Sequence, residues 1–511
     1  MFKRILIANR GEIALRVIRT AREQDIETVA VYSDADACAL HTRLADFAVS
    51  LGGHLPSESY LDMDKILDAA AKTGAEAIHP GYGFLAENAV FAQRVKDAGL
   101  VWIGPPADAI TQMGDKIVSR QLMQAANVPM VPGMTEPAPD AAAAKVAADE
   151  MGYPVMLKAA AGGGGKGIRI VHEASELEGA FKTASGEALA GFGDGRMYVE
   201  RYLVNTRHIE IQVMFDNHGK GVHFGERECS IQRRHQKLVE ECPSPVVSEE
   251  LREAMGAAAL RAGAAVDYEG AGTVEFLVSG QEFFFLEMNT RLQVEHPVTE
   301  MVTGVDLVWE QLRVAAGQEL GYVQDDVVMR GHSIEVRLNA EDPSNNFLPS
   351  IGTIGNLRIP GGPWVRFDSG IYTDMEVGLD YDPMLGKLIV WAPDRKRAIA
   401  RMRRSLEELN IGGVRTSATA GLRVMNDEGF QKGEFHTQYL EAMDLTEPKS
   451  DLDKVVAAAA AMHRWKEAHR TALAPRDSER LGWIARARVG KSSHPHIAGS
   501  TAGFTRGGAN S

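Results

Sequence analysis

Cysteine is scarce in this sequence. There are three in 511 residues, Cys38, Cys229 and Cys242, with no CxxC pair and no metal-ligand spacing. A disulfide framework and a cysteine-built zinc site both drop out, and reduced thiols of a cytosolic protein are expected. Long apolar runs are also missing. The opening MFKRILIANRGEIA ends its apolar run at Asn9, Arg10, Gly11 and Glu12, too soon for a signal peptide or for the roughly 20 apolar residues of a membrane span. A cytoplasmic protein without membrane association is expected. Positive charge is in deficit, with 55 Lys and Arg against 69 Asp and Glu and a net charge of −14. Nucleic-acid binders normally present a basic face, so that class is excluded. No repeat of solenoid period is found.

What is present is a long globular chain, too long for one core at about 100–200 residues per domain. RILIA (4–8) reads as a short buried strand. EIALRVIRTARE follows with Ile13, Val17 and Ile18 at helical spacing and Arg16, Arg19 and Arg22 around the other face. ETVAVYS is a second strand, and the alternation continues to about residue 105, as a parallel α/β domain does. The turn after the first strand carries a single glycine where a dinucleotide site needs G-x-G-x-x-G. The domain is therefore Rossmann-like in shape only. Later segments include the strand KLIVWA, the helix RKRAIARMRRSLEEL and an Ala-rich helix near 452–473.

The most informative stretch is KAAAGGGGKGIR, Lys158 to Arg169. A Walker loop ends in G-K-[ST] and opens a helix, as does a Rossmann loop. Here Lys166 is followed by Gly167 and the β-like run IRIV, so both fail on context. A glycine hairpin between two strands remains, whose bare N–H groups can close over phosphates as a lid; a glycine-rich linker is the plain alternative. A lid needs metal and charge elsewhere. GTVEFLVSGQEFFFLEMNTRLQVEHPVTE (272–300) reads as a hairpin turning at Gly280–Gln281–Glu282, which sets Glu275 opposite Glu287. Opposed carboxylates repel across a sheet unless a cation lies between them, and magnesium suits that place. If the chain stays extended, Glu287, Asn289, Arg291, Gln293 and Glu295 share one face; a plain solvated edge strand is the alternative. GERECSIQRRHQKLVEE (225–241) adds Gln232, His235 and Lys237, a weak signal alone and an anion-binding wall beside the other two.

Taken together, ILIANRGEIA, HPGYGFLAEN, GPP…MGDK, KAAAGGGGKG, RHIEIQV, ERECSIQRRHQK and EMNTRLQVEHPVTE resemble the biotin carboxylase subunits of biotin-dependent acyl-CoA carboxylases, built on the ATP-grasp fold. The resemblance runs from residue 1 to about 446. One departure is Ala160 and Ala161, where the family often has Ser and a further Gly; Gly162–Gly165 and Gly167 remain.

The resemblance implies a fold of both α/β and α+β character. It would have a Rossmann-like parallel domain (1–114), an ATP-grasp domain (115–335) with a lid at about 131–203, a mixed α+β C-terminal domain (336–446) and a basic extension (447–511). It implies that Lys116 and Lys158 hold ATP phosphates under Gly164 and Gly165. Glu200, Arg201, Tyr202 and Leu203 would line the adenine pocket, with Gln232, His208 and His235 near the nucleotide. Glu275 and Glu287 would bind one Mg2+ or Mn2+, and Glu287 with Asn289 a second. Lys237, Arg291, Gln293 and the Val294 backbone would surround bicarbonate. Glu295 would be the general base, and Arg337 would face biotin. The implied partners are a second copy of the chain, a carboxyltransferase and a separate biotin carboxyl carrier protein, since no AMKM-type lysine hairpin occurs in the chain. Two rivals fit less well: an ATP-grasp ligase activating a different acid need not keep TRLQVEHP or EVRLN, and a nucleotide-binding regulator would be expected to have lost Glu287, Glu295 or Arg337. Beyond Asp451 the chain turns basic, and two expectations stand for it, a partly disordered extension or a helix that docks on a partner.

Overall fold

The computed structural model describes residues 1–134, 136–159, 168–234, 236–446 and 451–470. Residues Met1–Thr446 form one compact unit and those from Glu447 a second.

The chain opens as the periodicity predicts. Strands β1 (Arg4–Ile7), β2 (Glu27–Tyr32), β3 (Phe47–Ser50), β4 (Ala77–His79) and β5 (Val101–Trp102) form a sheet in the order β3-β2-β1-β4-β5, with every pair parallel. Ile5, Leu6 and Ile7 are fully buried, as strands covered on both faces must be. Helix Gly11–Glu23 buries Ile13, Val17 and Ile18. Its Arg16, expected on the polar face, is buried too. A second layer covers that side of the helix, and the guanidinium reaches Glu300 and Asp306, both at 2.7 Å. A charge survives burial only when paired in this way.

A small antiparallel sheet follows, ordered β7-β6-β8 from β6 (Val155–Ala159), β7 (Ile168–Val171) and β8 (Met197–Arg201). Val155, Leu157, Val171, Leu177 and Val199 make its core. Lys158 pairs with Ile168, so strands flank the glycine run on both sides and no helix opens after it. Residues 160–167, with Gly164 and Gly165, lie outside the described residues, as does His235.

The largest sheet is antiparallel throughout. β9 (Arg207–Phe215), β10 (Gly221–Arg233), β11 (Gln236–Cys242), β12 (Gly270–Ser279), β13 (Glu282–Asn289) and β14 (His332–Asn339) run in the order β13-β12-β9-β10-β11-β14. The strands Met384–Ala392 and Val365–Ser369 complete it beyond β14. The sheet thus passes straight through residue 335. Its β12–β13 hairpin turns on two residues, Gly280 and Gln281, rather than three, and Leu286 is an extra residue between the pairs Phe276–Phe285 and Glu275–Glu287.

Among the described residues no helix is long and apolar enough to cross a membrane. The second unit contains the helix Asp451–Arg470, on which Val455, Val456 and Met462 are exposed.

Candidate active site

The large sheet gathers charge on one face. Alternation along β9 puts His208, Glu210 and Gln212 on the same side, and all three are buried. β11 contributes Lys237, whose ammonium is the hub. It donates to Glu210 and Glu295, each at 2.6 Å, and to Glu275 at 3.0 Å. Three carboxylates hold this lysine's proton well above the ordinary range, although burial alone would lower it.

Glu295 is fully buried between two cations. Beyond Lys237, Arg337 on β14 donates Nη2 to it at 2.8 Å, while its Nε goes to Glu240 at 2.5 Å. Burial pushes the Glu295 carboxyl up, but Lys237 and then Arg337 outweigh it and keep the group well below the carboxylate range. Cys229 Sγ lies 3.8 Å from Glu295, and burial raises its thiol far above a reactive value.

The extended-face expectation needs correction here. β13 ends at Asn289, and Glu295 stands at the N-cap of the helix His296–Thr303. Arg291, Gln293 and Glu295 therefore reach the site from a loop. Pro297 in the first turn of the helix favours such an ending of the extended path. The predicted residues nevertheless converge. Gln293 lies 3.5 Å and Asn289 2.9 Å from Glu275. Arg291 donates to Glu87 at 2.8 Å, Gln293 at 3.0 Å and Asn289 at 3.3 Å.

Glu275 faces Glu287 in the register read from the sequence. The two ionise differently. Burial opposes ionisation of Glu275, but Lys237 and His208 pull its carboxyl below the usual range. The Glu287 side chain is exposed, and its carboxyl is raised by partial burial and then by Glu275. The charges of His208, Lys237 and Lys116 pull it the other way. His208 Nε2 lies 2.9 Å from Glu275, an ion-pair distance without hydrogen-bond alignment.

Five carboxylates (Glu210, Glu240, Glu275, Glu287, Glu295) meet three fixed cations (Arg227, Lys237, Arg337) in this network. That excess of oxygen ligands fits a hard divalent ion, most directly at the opposed pair Glu275 and Glu287 with Asn289 alongside. Among the described residues, donor atoms also approach within 4.8 Å of one another in two sets, His208–Glu210–Glu275 and Glu210–Cys229–Glu295. Lys237 already bonds two carboxylates of each set, Glu210 and Glu275 in the first and Glu210 and Glu295 in the second, so neither is as good an ion site as the opposed pair.

A second cluster lies on the small sheet. Glu200 on β8 accepts from Lys158 on β6 and from Arg120 at 2.5 Å. Arg201 sits 4.0 Å from Glu282, and the Tyr202 N–H bonds Pro154. Leu203 is half-buried. Gln232 pairs with Lys237 across β10 and β11.

Sequence reasoning missed Glu210, Arg227, Glu240, Glu87 and Arg120. Glu210 was within reach, because RHIEIQV alternates polar and apolar residues and carries Glu210 on the His208 face. Arg227, fully buried, donates to Glu210 and Gln212 at 2.6 Å and to Thr273 at 3.0 Å. In the sequence it is one arginine among several.

Residues 1–110 match the model of the biotin carboxylase N-terminal domain, 115–323 that of the carbamoyl-phosphate synthase L chain ATP-binding domain, and 335–442 that of the biotin carboxylase C-terminal domain. A pyruvate carboxylase subunit from Methanothermobacter thermautotrophicus is 53% identical over 86% of this chain and 90% of its own. Biotin carboxylase 1 of Bacillus subtilis is 51% identical over 87% and 99%. The propionyl-CoA carboxylase alpha chain of Ruegeria pomeroyi is 48% identical over 93% and 74%. Among solved structures, a Campylobacter jejuni biotin carboxylase complex with a β,γ-ATP ligand superposes with a TM-score of 0.81 at 48% identity, covering 87% of this chain and 99% of that one. The biotin carboxylase domain dimer of Hydrogenobacter thermophilus 2-oxoglutarate carboxylase, in complex with MgADP, ADP and bicarbonate, gives 0.81 at 47%, covering 88% and 100%.

Proposed function

This chain belongs to the biotin carboxylase family of ATP-grasp ligases, and we propose that it carboxylates the biotin of a separate carrier protein, with ATP and bicarbonate as co-substrates. The observation that carries the assignment of roles is the Glu295 carboxylate, fully buried and gripped by Lys237 and Arg337 beside the opposed pair Glu275 and Glu287.

Bicarbonate is a poor nucleophile and needs a base and a cationic seat. Lys237, Arg291, Gln293 and the Val294 N–H supply the seat. Lys237 divides its protons among Glu210, Glu275 and Glu295. An arriving bicarbonate competes for that ammonium and loosens its hold on Glu295, so the carboxylate becomes more basic when it is needed. Glu295 then takes the bicarbonate proton as the anion attacks the γ-phosphorus, giving carboxyphosphate and ADP. Magnesium or manganese ions held by Glu275, Glu287 and Asn289 would neutralise phosphate charge during that transfer. Lys116 and Lys158 hold the phosphates under the glycine lid, and Lys158 exchanges its Glu200 contact for them. Glu200, Arg201, Tyr202, Leu203, Gln232, His208 and His235 surround the nucleotide. Carboxyphosphate releases CO2 and phosphate, and the phosphate deprotonates the ureido nitrogen of biotin. Arg337, which stays protonated throughout, faces the resulting enolate, whose nitrogen then bonds the CO2 carbon to give carboxybiotin.

We place the domains at 1–114, 115–335, 336–446 and 447–511. The partners are a biotin carboxyl carrier protein, a carboxyltransferase and a second copy of this chain, in the cytoplasm. The relatives' names include pyruvate, propionyl-CoA and 2-oxoglutarate carboxylases, so the final acceptor is assigned to the carboxyltransferase.

The test is phosphate release from ATP by the full-length chain with free biotin, with and without bicarbonate. Bicarbonate-dependent turnover is expected. Bicarbonate-independent hydrolysis, or ligation of another acid, would overturn the reading.

A further inference from the structure

The loop that carries Arg291, Gln293 and Glu295 is not held by the site's own residues alone. Two fully buried side chains grip its backbone from behind. His296 Nδ1 lies 2.8 Å from the Gln293 carbonyl oxygen, and Lys387 Nζ lies 2.7 Å from the Val294 carbonyl oxygen. Because a carbonyl only accepts, the proton of His296 is on Nδ1. Its Nε2 makes no hydrogen bond and lies 3.9 Å from Glu300 Oε2, and burial together with the charges of Lys387, Arg16 and Arg366 keeps the ring neutral.

The two carbonyls belong to successive peptide units. A trans peptide points its N–H opposite its C=O, so fixing the Gln293 oxygen aims the Val294 N–H, and fixing the Val294 oxygen orients the Glu295 backbone. Lys387 comes from the strand Met384–Ala392, where it sits opposite Arg337 on one side and Asp368 on the other. Its ammonium also lies 3.3 Å from Glu12 on helix Gly11–Glu23 and 5.8 Å from the centroid of the Tyr82 ring. The pair with Glu12 is not needed for stability as such, since two neutral residues of similar size could replace Glu12 and Lys387 together without the cost of burying two charges.

We propose that His296 and Lys387 are positioning residues for bicarbonate, locking the peptide planes on either side of Val294 so that its N–H and the Glu295 carboxylate share one anion. This rests on the reading of Val294 as a bicarbonate contact. The clamp joins the N-terminal helix and the C-terminal strand to the loop that bears the base, so the anion seat is set by segments remote in sequence.

The experiment compares Michaelis constants for bicarbonate and ATP in the full-length protein with free biotin. K387M alone would strand Glu12 without its cation, so E12Q/K387M is used, in which both partners are neutral. H296A removes the second donor, and H296N keeps an amide N–H near the Nδ1 position. Loss of one buried donor predicts a bicarbonate KM raised roughly tenfold in E12Q/K387M and in H296A, with the ATP KM within about twofold of wild type. H296N should bring the bicarbonate KM back to within about threefold of wild type. An unchanged bicarbonate KM in E12Q/K387M and H296A, or an equal rise in both constants, overturns the clamp. If E12Q/K387M does not fold, the H296A and H296N pair decides alone. Wild-type protein without bicarbonate-dependent turnover would instead overturn the functional reading itself.

Discussion

Glu275 stands opposite Glu287 only because Leu286 is inserted between the pairs that precede and follow it on β13. The tight turn at Gly280–Gln281 by itself would set Glu275 against Leu286; the added residue moves Glu287 into register. Such bulges re-aim side chains beside functional sites. In the metal-free protein the two carboxylates repel. Glu287→Gln is therefore expected to raise the melting temperature of the metal-free protein slightly, since like charges directly opposite destabilise a sheet by about 0.2–1 kcal/mol. Added magnesium should stabilise wild type and not the variant. Equal magnesium-induced shifts in both would remove Glu287 from the metal site.

Glu287→Ala goes further and should abolish bicarbonate-dependent turnover, because it removes the carboxylate assigned to both ions. A variant with the wild-type rate and magnesium dependence would overturn that assignment.

Glu295→Gln should leave ATP binding nearly intact and lower turnover at least about 100-fold, the usual scale for a positioned base. Nucleotide affinity and steady-state rate measured on one preparation separate the two effects. Turnover within a few-fold of wild type would exclude the base role. Lys237→Met belongs beside it as a stability control. It leaves Glu210, Glu275 and Glu295 without their shared cation, and breaking a buried pair in this way costs about 3–5 kcal/mol.

Much of this arrangement is legible in the sequence. Composition and alternation are enough for the parallel opening sheet, and the absence of a helix after Gly167 is enough to exclude two of three phosphate loops. The cross-strand pairing of Glu275 comes from hairpin counting, even though the turn is one residue shorter than expected. The errors share a cause. Helical periodicity puts Arg16 outside because it registers only one packed face, whereas tertiary packing covers a second. It strings Arg291, Gln293 and Glu295 along one strand because nothing local announces where an extended segment leaves its sheet. Glu240, Glu12 and Lys387 lie beyond any local pattern, since each acts through a partner 90 or more positions away.

Stability should carry a pH signature from Glu240. Burial raises its carboxyl to about 7, with Arg337 only partly opposing. The folded state then binds a proton that the unfolded chain, ordinary at about 4.3, releases. This contribution is full below that lower value and is lost as pH rises towards 7. Glu240→Gln carries no ionisation cost, so its melting temperature relative to wild type should climb between pH 4.5 and 7. A constant or falling difference across that window would show that Glu240 is not raised.

The helix Asp451–Arg470 belongs to the second unit, beyond Thr446. Val455, Ala459 and Met462 recur along it at helical spacing, and Val455 and Met462 are exposed. Its polar positions include Lys454, Arg464, Lys466 and Arg470, and further arginines follow, while the chain as a whole is acidic. A 20-residue helix of this kind is marginal in water without an apolar face to bury. The likeness to the propionyl-CoA carboxylase alpha chain covers 93% of this sequence, more than the first 446 residues can supply, so it reaches into this segment. A carboxylase that hands its product to a tethered carrier gains from holding that carrier at high effective concentration. Deleting residues 451–511 is therefore expected to spare carboxylation of free biotin and to weaken assembly with the biotin-bearing partner by at least about tenfold, within the range over which tethering raises avidity. Binding of full-length and truncated chains to that partner, measured side by side, decides the matter: equal affinities would leave the helix no part in assembly, and loss of free-biotin turnover on truncation would place it in the fold of the enzyme instead.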